Sequence, residues 1–167
     1  MMAYRSSSRH WILLLSLLLL GTTPALGHAQ EGGKLQEMEV LGVTADGRGQ
    51  PRILLRSKSD KRGLTMVIGQ FEAVGIALPL EGVTPPRPYT HDLILDLLGR
   101  FDVTMARVVI TELKENTYYA TLVLEVEGRE VLVDSRPSDA VALALRTGAP
   151  ILATETVLEV QPPGAQP

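Results

Sequence analysis

The sequence predicts an α+β fold: a single domain with a largely antiparallel mixed sheet and helices packed on it. Three observations predict it. Strand-like runs come in pairs joined by short turns such as Glu115-Asn116 and Glu127-Gly128. Other segments repeat apolar residues at spacings of three and four. No internal repeat is evident, so the segments are read as one sheet with helices packed on it.

Met38 to Val43 and Arg52 to Arg56 flank the turn Asp46-Gly47-Arg48-Gly49 and suggest a hairpin. Leu64 to Ile68 makes a third strand after the charged loop 58–63. From Gly69 to Leu80 the apolar positions Phe71, Val74, Ala77 and Leu78 argue for a helix despite Gly75, with Pro79 ending it. The connection Thr84-Pro85-Pro86-Arg87-Pro88 leads to Thr90, read as the cap of a second helix whose inward face is Leu93, Ile94, Leu97, Leu98 and Phe101. Strands follow at Val103 to Leu113, Tyr118 to Glu125 and Glu130 to Val133. A third helix runs from Pro137 to Arg146, with Ser138 read as a cap, and is stopped by Gly148 and Pro150. A strand from Pro150 to Ala153 and a short helix from Glu155 to Val160 complete the domain.

The domain is therefore expected at 35–160, after a secretory signal at 1–29 and before a disordered tail at 161–167. Arg5 and Arg9 precede the apolar run Ile12 to Leu20, which at nine residues is far short of the about 20 that span a bilayer. Gly27-His28-Ala29 offers small residues for cleavage after Ala29. The expectation is an exported protein, periplasmic or secreted, with no stable membrane anchor. The chain has no cysteine, which excludes disulfides, thiolate metal sites and a cysteine nucleophile. Of its 16 basic residues, Arg5 and Arg9 fall before Gln30, leaving 14 against 19 acids and a formal charge of −5. That disfavours a basic surface tracking a phosphate backbone, but not an acidic active site that binds phosphate through a cation.

Two polar clusters stand at predicted helix starts, Arg87-Pro88-Tyr89-Thr90-His91-Asp92 and Asp134-Ser135-Arg136-Pro137-Ser138-Asp139. Exposed amides at a helix start favour an anion, and arginine adds a bidentate clamp. The carboxylates could instead collect a hard divalent cation. Capping or an internal ion-pair network would use the same residues, Asp92, Arg136, Ser138 and Asp139 among them. With one histidine, His91, after the signal, a multi-histidine zinc site is excluded.

The runs Ile68-Gly69-Gln70-Phe71-Glu72-Ala73, Arg87 to Leu93 and Asp134 to Arg146 resemble the signature of the bifunctional nuclease domain family, in order and over nearly all of residues 38–160. The resemblance implies an α+β domain, often oligomeric, with cleavage of both DNA and RNA by some members. It implies that Glu72, His91, Asp92, Asp134, Arg136, Ser138 and Asp139 line a polar site. The expected activity is a broad-specificity phosphodiesterase with nucleic acid as substrate. His91, Asp92, Arg136 and Asp139 would be catalytic, and Arg87, Thr90 and Ser138 would bind substrate. Glu72, Asp134 and Asp139 would hold a divalent metal, magnesium or manganese. The competing class is a non-catalytic exported module that binds an anion or assembles as a homo-oligomer. A sugar-processing site is disfavoured by the scarcity of aromatic residues. Members usually lack a secretory signal, and there this chain departs from the family pattern.

Overall fold

The structure, a computed structural model, describes residues 34–159, which fall within the compact unit Glu31–Pro167. The signal and its cleavage site, and the tail, lie outside the described residues. Seven strands and four helices follow one another as β1 (Leu35–Ala45), β2 (Pro51–Ser57), β3 (Gly63–Val67), α1 (Gln70–Leu80), α2 (Thr90–Arg100), β4 (Thr104–Lys114), β5 (Thr117–Val126), β6 (Arg129–Ser135), α3 (Pro137–Thr147), β7 (Ile151–Thr154) and α4 (Glu155–Glu159). The α+β expectation holds.

The strands form one sheet in the order β3-β2-β1-β7-β4-β5-β6. Every pairing is antiparallel except β4 with β7. Two meanders, β1-β2-β3 and β4-β5-β6, are thus joined through β7, which α3 delivers to the centre. Local chemistry sets the hairpins. Glu115, Asn116, Glu127 and Gly128 all have positive φ, which makes the two-residue turns that match strand twist. At the β1–β2 turn, Asp46 Oδ1 accepts the amides of Arg48 and Gln50.

Helix α3 is the centre of the core. Pro137, Ser138 and the whole run Ala140 to Ala144 are buried against β4, β5 and α1, alongside Val108, Ile110, Ala120 and Ile76. The alanines bring the helix axis close to the sheet, while burial of Val141 and Leu143 contributes about 1.5–3 kcal/mol each. Gly148 ends the helix in a left-handed conformation, φ 74°, that a side chain would disfavour.

Two expected helix details are corrected. Thr90 is the first helical residue of α2 and not its cap; Tyr89, held extended after Pro88, takes that place, and Asp92 Oδ2 accepts its amide at 2.8 Å. Ser138 likewise lies one position inside α3, after Arg136 as cap and Pro137. The larger correction concerns the inward face of α2. Leu93, Ile94, Leu97 and Phe101 are exposed, Phe101 by 75%, and it is Leu95 and Leu98 that pack on the core. The helix is rotated because His91 and Asp92, a turn before Leu95, are both paired to α3. On α1, Ala73 and Ile76 face inward while Phe71 and Val74 face out. Pro79 is accommodated in the last turn of α1. Among the described residues, no helix is long and apolar enough to cross a membrane.

Candidate functional site

The starts of α1, α2 and α3 meet, with the end of β6, around a cavity of about 890 Å³. Glu72, Thr90, His91, Asp134, Arg136 and Asp139 line its polar part, and Phe71, Tyr89, Ile94 and Val133 its apolar part. The two sequence clusters therefore converge on one surface with Glu72.

Arg136 organises the polar part. As the cap residue of α3 it is extended, which turns its side chain back over the first helical turn. Its Nε and Nη2 donate to the two oxygens of Asp139 at 2.6 and 3.0 Å, and its Nη1 donates to Glu72 Oε1 at 2.8 Å. The guanidinium thus links α1 to α3 while remaining 65% exposed. Burial works against charge on Asp139, but the Arg136 fork, aided by His91, holds its carboxyl below the usual aspartate range. The same two carboxylates raise the Arg136 pKa further above its ordinary value.

His91 Nε2 lies 3.3 Å from Asp139 Oδ1. The ring packs on the backbone of α1, where Gly75 makes room for it: a Cβ there would lie 2.8 Å from His91 Cε1. A glycine inside a helix costs up to about 1 kcal/mol relative to alanine, and here it seats the imidazole.

Asp92 is turned away from this cavity. Burial disfavours its charge, and the Arg146 guanidinium together with the Tyr89 amide more than offsets that, lowering its pKa. Arg146, only 9% exposed, donates from Nε to Asp92 at 2.6 Å and from Nη1 to the carbonyls of Gly75 and Ala142 at 2.7 and 2.8 Å. One buried side chain so ties α2, α1 and α3 together, and Asp92 lines a separate cavity of about 440 Å³ beside Pro85 and Pro88. Arg87 is exposed and outside the main cavity wall. Ser138 is buried and faces a smaller cavity of about 320 Å³.

Sequence reasoning passed over Gly75 and Arg146. A glycine midway along an apolar helix, and an arginine seven residues after Asp139 on the same helical face, were the available signals.

As placed, Asp134 lines the cavity unengaged by Arg136, while the other two expected ligands are committed to that guanidinium. Glu72 and Asp139 are both engaged by Arg136, and no group of three or more His, Asp or Glu able to hold a metal occurs among the described residues. What the arrangement offers is an exposed guanidinium, an imidazole oriented by a carboxylate, and an adjoining apolar wall.

The sequence matches the family described as bifunctional nuclease domain over residues 53–163. Uncharacterized proteins from two strains of Mycobacterium tuberculosis are 46% identical over 123 residues, 73% of this chain and 73% of theirs. Proteins named bifunctional nuclease 1 from Oryza sativa subsp. japonica and bifunctional nuclease from Oryza minuta are 28% identical over 91 residues. That match spans 53% of this chain but 28% of the rice proteins.

Proposed function

The chain belongs to the bifunctional nuclease domain family, and from that membership we propose that it is a nuclease hydrolysing phosphodiester bonds of DNA, RNA or both at the Arg136 cavity. The observation that carries the reading is the exposed guanidinium shared between Glu72 and Asp139 beside His91. A phosphodiester oxygen competes for Nη1 with Glu72, the carboxylate that holds the guanidinium by one hydrogen bond where Asp139 holds it by two. Asp139 keeps the other two donors aligned. Arg136 then stabilises the charge that builds on phosphorus-bound oxygens in the transition state. His91, oriented by Asp139, exchanges the proton of the nucleophile or leaving group. Asp92 acts at a distance, by holding α2.

The divalent-cation dependence expected from the sequence is not built into this mechanism, because Glu72 and Asp139, two of the three carboxylates that would hold the ion, are paired to Arg136. Incubating the purified chain with single- and double-stranded DNA and RNA, with and without chelator, tests both points. Cleavage that survives chelator is the expected result. Cleavage abolished by chelator and restored by magnesium or manganese would return Glu72, Asp134 and Asp139 to the role of metal ligands. No cleavage of any substrate would favour the non-catalytic module.

We also propose export and self-association. The signal-like segment supports the first, and a mature N-terminus at Gln30 or His28 is the expected sequencing result; a protein retaining Met1 would oppose it. For the second, β6 is a sheet edge among the described residues, with Val131, Leu132 and Val133 exposed, and α2 leaves Leu93, Leu97 and Phe101 in solvent. A second copy is the occupant that such an edge and helix face would accept.

A further inference from the structure

The Glu72–Arg136 pair is a wall shared by two cavities. The larger, about 890 Å³, and the smaller, about 320 Å³, are both lined by these two residues, so the ion pair lies between two lobes. The lobes differ in chemistry. The larger presents Phe71, Tyr89, Ile94 and Val133. The smaller presents Asn116, Thr117, Ser138 and Tyr118. Asn116 and Thr117 there are exposed and offer polar side chains to solvent. Phe71, one residue before Glu72, leaves its ring 90% exposed.

We infer that the site takes single-stranded nucleic acid threaded across the Glu72–Arg136 pair, with a phosphate at Arg136, a flanking base stacked on Phe71 in the larger lobe, and the next nucleotide's sugar or base hydrogen-bonded by Asn116 in the smaller. The inference rests on the nuclease reading and names its substrate class. Each part of a dinucleotide meets a matching surface: a π-face for the base, a guanidinium for the phosphate, and an exposed side-chain amide for a polar edge. A duplex keeps the faces of its bases stacked within the helix and cannot offer one to Phe71. The acidic balance of the chain fits this mode, in which stacking and one phosphate contact replace a basic track. A single neutralised phosphate on a single strand gives a slope of log affinity against log salt of about −0.7.

The test is fluorescence anisotropy of the purified chain with a labelled single-stranded oligonucleotide, the same strand carrying abasic sites, and the matched duplex, each followed also for cleavage. The single strand is expected to bind at least ~10-fold more tightly than the abasic strand or the duplex, as one stacked base implies. Phe71→Ala should remove that difference, and Asn116→Gly, which keeps the positive φ of that turn, should weaken binding by a smaller factor. Phe71 is exposed, so its replacement leaves the core intact. Equal affinity for strand and duplex, or unchanged base dependence in Phe71→Ala, overturns the inference. Cleavage separates it from the reading beneath it: base-dependent binding without cleavage supports the threaded strand and removes the nuclease, and cleavage without base dependence does the reverse.

Discussion

Helices α2 and α3 are both 11 residues long and both begin with a polar motif containing proline, yet α3 buries seven residues and α2 buries none. Core packing holds α3 in place, so Arg136 and Asp139 at its start share the rigidity of the core. The position of α2, and of His91 with it, depends on polar ties: His91 to Asp139, Asp92 to Arg146, and the imidazole on Gly75. The site therefore joins a fixed half to a tethered half. Removing a tie should misplace His91 before it unfolds the domain.

The largest effect is expected from Arg146→Met. It removes a nearly buried guanidinium and leaves the Gly75 carbonyl and Asp92 Oδ1 without this donor, at a cost of about 3 kcal/mol in denaturant unfolding. Cleavage should fall as well, because α2 is released; full activity at reduced stability would show that α2 does not need this tie.

Acid should loosen the same contacts. Asp92 and Asp139 have folded-state pKa values below their ordinary value, so the stability they add is complete above the unfolded value, about 3.9, and is lost as pH falls through the lowered folded values. Urea midpoints should be flat from neutrality to about pH 5 and drop below about pH 4. Arg146→Met should drop less steeply, and an unchanged acid profile would remove Asp92 from the tether.

The hairpins and α3 were legible in the sequence because their signals are local. Turn pairs such as Glu127-Gly128 fix register, and Pro137 and Gly148 bracket α3 at the chemically required places. The rotations of α1 and α2 were not legible. Each has apolar residues on more than one face, and periodicity alone does not tell which face is covered. The β4–β7 pairing is non-local for the same reason. Residues of the site were legible as clusters, but their division was hidden: His91 and Asp92 are adjacent in sequence and pair to α3 residues seven positions apart, Asp139 and Arg146.

Gly75→Ala isolates the seat of His91. Alanine should improve helix propensity by up to about 1 kcal/mol while its Cβ displaces the imidazole, so stability should change by less than about 1 kcal/mol and cleavage should drop roughly 10-fold. Unchanged cleavage would show that the ring needs no such seat. The smallest effect is expected from Leu93→Ser, at 52% exposure on the open face of α2. Monomer stability should move by less than about 0.5 kcal/mol, whereas sedimentation should show a weaker oligomer. A loss of monomer stability above that would mean that Leu93 is packed within one chain.

The decisive measurement compares cleavage time courses of single-stranded DNA and RNA by the unaltered chain, Arg136→Lys and Asp139→Asn. Lysine keeps the charge but cannot reproduce the two-sided fork, and asparagine keeps the shape of Asp139 without its charge. The predicted result is cleavage by the unaltered chain and a loss of at least ~10²-fold in both variants, with thermal unfolding little changed. Equal rates in all three proteins would contradict a site centred on Arg136.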